Sequence, residues 1–75
     1  MKRAILERHL VLAEAHVVEE ERHLARQREI LNRLYQVGLG GSHTAEIARD
    51  LLGQMQDSLR THIADRDRLR AALQR

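Results

Sequence analysis

The chain has 75 residues, 43% hydrophobic and 32% charged, with one Tyr and no Phe, Trp, Pro or Cys. A chain this short makes one small domain, near the lower size at which a core can form. Without cysteine there is no disulfide framework, no thiolate nucleophile and no Cys-ligated metal site. Thirteen Lys plus Arg against eleven Asp plus Glu leave +2, spread evenly over both halves, which argues against a basic block that would seek nucleic acid.

Abundant Ala, Leu, Glu, Arg and Gln and the lack of proline predict helix nearly throughout. The first helix is expected over about residues 3–37 and carries a period of seven. Glu7-Arg8-His9-Leu10, Glu14-Ala15-His16-Val17 and Glu21-Arg22-His23-Leu24 repeat Glu, any residue, His, aliphatic; in Arg28-Glu29-Ile30-Leu31 an isoleucine takes the histidine's place. Leu10, Val17, Leu24 and Leu31 then define one seam row, with Leu6, Ala13, Glu20, Gln27 and Leu34 in the other. The histidines border the seam, half exposed.

The sequence Gly38-Leu39-Gly40-Gly41-Ser42 interrupts the pattern. Gly38 suits the left-handed position after a helix, with Leu39 folding back. Ser42, or Thr44, suits the N-cap of the next helix, and Glu46 favours its positive end. A second helix is expected over about 43–73, with an inward set of Ile47 or Ala48, Leu51 or Leu52, Met55, Leu59, His62, Arg66, Leu69 and Leu73. Among the alternatives, Leu51 is taken as the core residue. Gly53 lies off that seam and costs helix stability unless a backbone approaches it.

A short glycine-rich link between two long helices predicts an all-α antiparallel hairpin. Folding at 39–42 sets Leu34 opposite Ala48, Leu31 opposite Leu51, Gln27 opposite Met55, Glu20 opposite His62 and Val17 near Arg66. One hairpin cannot cover Ile5, Val11, Leu12, Val18, Ile63 and Ala72, so a homodimer forming a four-helix bundle is expected, a hetero-partner being the other cover for that surface. The longest apolar run, Leu10-Val11-Leu12-Ala13, is far short of the ~20 residues of a membrane span, and the basic start followed by Glu7, Arg8 and His9 does not read as a signal peptide. A cytoplasmic protein is expected.

The seam's polar residues carry the functional reading. Glu20, His62 and Arg66, flanked by His16, His23 and Gln27, are expected to form a polar layer in which Glu20 pairs with Arg66 and with one or more histidines, setting helix register and partner choice. Titration of these histidines would tune such an interface. The alternative is a transition-metal site for zinc or iron, because Glu20-x-x-His23 matches the local motif of di-iron bundles and His62-x-x-Asp65 offers a second pair, with His16 nearby. Arg66 and the missing second seam carboxylate argue against it, and no cofactor is the expectation. Catalysis is not expected: Ser42, Thr44, Ser58 and Thr61 are placed at the loop or facing outward, and the glycine loop joins two helices and so is no phosphate cradle.

In size and layout a dimer of such hairpins resembles the Rop family of plasmid RNA-binding four-helix bundles, without any shared motif. A nucleic-acid face would be drawn from Arg8, Arg22, Arg26, Arg33, Arg49 and Arg60, with Glu19, Glu29, Asp50 and Asp57 intruding on it. The stretches Arg8-His9-Leu10 through Ile30 and His62-Ile63-Ala64-Asp65-Arg66-Asp67-Arg68-Leu69-Arg70 resemble short helical proteins of rhizobia and related alphaproteobacteria. That resemblance implies a bacterial cytoplasmic hairpin and carries no activity with it.

Overall fold

A computed structural model describes residues 2–75. Two helices, α1 (Lys2–Gln36) and α2 (His43–Leu73), fold back on each other as an antiparallel hairpin. The hairpin measures 56 × 14 × 14 Å, the proportions of two helices side by side.

The turn forms as its residue types require. The Leu39 amide donates to the Leu34 carbonyl at 2.7 Å and the Gly38 amide to the Tyr35 carbonyl at 3.1 Å, the paired bonds of a Schellman stop. Gly38 takes φ +80°, a conformation that costs a residue with a Cβ ~1–2 kcal/mol. Of the two candidate caps the structure selects Ser42, whose Oγ accepts the Ala45 amide at 3.1 Å. Gly40 has a different reason: a Cβ there would overlap the Tyr35 ring. Arg49 completes a clasp over the turn, donating to both the Tyr35 hydroxyl and the Gly40 carbonyl at 2.9 Å.

The buried apolar side chains are Val17, Leu24, Leu31, Ala45 and Ala48. Leu31, Ala45 and Ala48 form a cluster beside the turn, with Leu34 and Leu52 packed against it. Alanines at 45 and 48 let the two backbones approach closely where the chain reverses. The α2 residues facing α1 are Ala45, Ala48, Leu52, Met55, Leu59, His62, Arg66, Leu69 and Leu73, none of them exposed. Their spacing alternates three and four, and this decides between the sequence alternatives. Leu51 is 42% exposed and lies outside the row, so the expected Leu31–Leu51 contact is replaced by Leu31 against the two alanines. Leu51 falls outside because the row takes its four-residue step from Ala48 to Leu52, which leaves Leu51 one residue out of phase. Leu10, Leu34, Met55, Leu59, Leu69 and Leu73 lie on the seam but only half-buried. Gly53 has no neighbouring backbone or side chain where its Cβ would be, so nothing in the hairpin repays its lower helix propensity.

Beyond the middle of the rod, polar contacts take over. Arg70 donates to the Glu14 carboxylate at 2.9 Å, and Arg3 donates to the Leu73 carbonyl at 3.1 Å, joining the two free ends. No described helix is long and apolar enough to cross a membrane.

Candidate functional site

The polar residues of the seam lie at two levels. Nearer the turn, Gln27 is 8% exposed, and its amide nitrogen donates to the Ala48 carbonyl at 3.0 Å. In a regular helix that carbonyl already accepts the Leu52 amide, so Gln27 uses its second lone pair. Gln27 therefore reaches toward the turn instead of meeting Met55, its expected partner.

Glu20, Ser58, His62 and His16 form the second level. Glu20 and His62 project inward because both occupy seam positions of their helices; their side chains are 23% and 31% exposed. The Ser58 hydroxyl donates to Glu20 Oε1 at 3.3 Å. His62 Nδ1 lies 3.8 Å from the same oxygen, too far for a hydrogen bond, and this buried nitrogen has no hydrogen-bond partner among the described residues. The His16 ring stacks on His62, with centroids 5.4 Å apart and planes inclined by 28°. His16 itself stays exposed, covering one side of the imidazole it touches.

Two expectations for this layer are corrected. Arg66 does not pair with Glu20; its guanidinium bonds Asp67 at 3.1 Å. The reason is solvation: the stem of Arg66 covers the seam while its charged head turns outward to a carboxylate 57% exposed, avoiding the cost of two buried charges. Ser58, expected to face outward, is half-buried and takes the place beside Glu20. Its position four residues before His62 on one helix face is the signal for it.

The metal alternative is not assembled either. Among the described residues no three His, Asp or Glu side chains converge as ligands. Glu20 and His62 are neighbours, and His16 touches His62. His23 is exposed and makes no ion pair or side-chain hydrogen bond among the described residues, while Asp65 engages Arg68 on its own helix. Three residues of helix carry Asp65 around from the seam to the half-exposed flank, which separates it from Glu20.

The arginines do not make a free basic face. Glu29 holds Arg33, Asp57 holds Arg60, and the turn clasp holds Arg49. Arg8, Arg22 and Arg26 make no ion pair among the described residues. Exposed apolar side chains are more prominent: Ile5, Val11, Leu12 and Val18 on α1, 47–65% exposed, and Ile47 and Leu51 on α2. Comparisons with protein-family models, curated proteins and solved structures return no match.

Proposed function

We propose that this chain is a non-enzymatic self-association protein, a helical hairpin that pairs with a second copy to make a four-helix homodimer. The observation that carries the reading is the apolar surface: Val11 is 65%, Leu12 55%, Ile5 53% and Val18 47% exposed, while among the described residues only three large apolar side chains are buried. Buried leucines and valines contribute about 1.5–3 kcal/mol each, so covering four more would add as much apolar burial as the hairpin's own core. In this reading the Gln27 and Glu20–Ser58–His62 levels act as register marks. Sliding one helix by a turn would take Gln27 off the Ala48 carbonyl and Glu20 off the Ser58 hydroxyl, a penalty an all-leucine seam would lack.

Sedimentation equilibrium across a concentration series, with helicity followed by circular dichroism, tests the proposal. A mass of two chains in the micromolar range is expected. A monomer that keeps full helicity throughout would overturn it.

A further inference from the structure

The outer face of α1 has the features of a second seam. Ile5, Val11, Leu12, Ala15, Val18 and Ala25 are all exposed, and the row Val11, Ala15, Val18, Ala25 repeats at helical spacing. At 3.6 residues per turn its centre lies about 150° around α1 from the midline of the seam, between the Leu10–Val17–Leu24–Leu31 and Ala13–Glu20–Gln27–Leu34 rows, so α2 cannot reach it. A shallow depression lined by Glu14, Ala15, Val18, Glu19 and Arg22 lies on this face. The large exposed apolar residues of α2, Ile47 and Leu51, lie near the turn. Small residues at 15 and 25 suit close approach of another helix, as Ala45 and Ala48 do inside the hairpin.

Charge favours a second copy running antiparallel. Arg8 and Arg22 interrupt the stripe, flanked by Glu7 and Glu21; among the described residues Arg8, Glu21 and Arg22 make no ion pair within the chain. A parallel copy would set Arg8 on Arg8 and Arg22 on Arg22. An antiparallel copy crossing between Glu14 and Ala15 sets Arg8 level with the partner's Glu21, Glu7 with the partner's Arg22 and Val11 with the partner's Val18. Two-fold symmetry makes each of these pairs twice. Glu14, at the crossing, is already neutralised by Arg70 of its own hairpin.

We infer that two hairpins join through the outer faces of their α1 helices, antiparallel and centred near Ala15. Because this face is nearly opposite the hairpin seam, the four helices lie close to a single layer, with both α2 helices outermost. The contact covers on the order of 600 Å² of each protomer, the low end for a specific interface. The inference rests on the self-association reading and adds to it the face, the direction and the shape.

Because the chain contains no cysteine, single substitutions can test it by oxidative cross-linking. Expected are a rapid A15C homodimer, a disulfide between A4C and A25C chains when mixed but none within either alone, and no linkage of Q54C on the outer side of α2. Val18→Glu should weaken association at least tenfold with helicity retained. A sedimenting dimer that links A4C to itself, or links through Q54C, overturns the face and direction and leaves self-association standing. A chain that stays monomeric to about 100 µM overturns both.

Discussion

The two ends of the hairpin are built differently. Near the turn, the backbone reversal is held by a Schellman stop, a serine cap and the Arg49 clasp, and below it Leu31, Ala45 and Ala48 pack in a buried cluster. At the open end the corresponding seam residues, Leu10, Leu69 and Leu73, are only half-buried, and the helices are joined by Arg70–Glu14 and Arg3 to the Leu73 carbonyl. The boundary between the regimes lies just past the Glu20–Ser58–His62 level, beyond Val17, which is still 4% exposed. Contact geometry therefore grades stability along the rod. The turn end holds itself, and the open end depends on exposed polar contacts that are individually weak.

The largest expected effect separates these ends directly. Leu31→Ala should cost about 2–5 kcal/mol, whereas Leu69→Ala, half-buried in the open end, should cost about half as much; urea unfolding at one fixed protein concentration checks both. Equal losses would remove the grading. Gly38→Ala should cost about 1–2 kcal/mol, because its φ is +80° and no Cβ clash contributes. Gly53→Ala should act in the opposite direction, raising stability by up to ~1 kcal/mol, since no neighbour occupies the space of its Cβ.

Smaller effects sharpen the boundary. Glu20→Gln should change stability by no more than about 0.5 kcal/mol, because its side chain bonds only Ser58 and does not hold Arg66. At the open end, a double-mutant cycle on Glu14 and Arg70 should give a coupling of about 0.2–1 kcal/mol that shrinks with added salt, the two side chains each being 45% exposed. Native-state hydrogen exchange should show amides around Leu69 and Leu10 opening before those around Leu31 and Ala48.

Much of this was legible in the residues. The absence of proline, the seven-residue period and one glycine-rich break specify two helices, and their expected limits of 3–37 and 43–73 differ from those found by one residue at α1 and not at all at α2. Gly38 combines residue type with position strongly enough to be read as the stop, whereas the cap is narrowed only to Ser42 or Thr44 and the structure chooses Ser42. The phase of α2 was harder: Leu51 and Leu52 are chemically identical, and only the row running from Ala45 through Leu73 chooses between them. The polar layer was legible as a set of positions but not of partners. Arg66 and Glu20 share a face by spacing, yet a flexible arginine is placed by where its charge stays hydrated. Tyr35, Gly40 and Arg49 gave no local signal, since their contact joins a helix end, a turn and the second helix.

What the chain alone determines is its periodicity: which residues lie on which helical stripe, where the helices stop, and that more apolar surface exists than one hairpin can cover. The tertiary structure decides the rest, namely which neighbouring leucine enters the seam, that Ser58 and not Arg66 meets Glu20, and that the uncovered stripe of α1 faces away from α2. Helical pattern is local and set by 3.6 residues per turn, whereas partners and phase depend on how two rods settle against each other, and that is a property of side-chain volume and solvation across both.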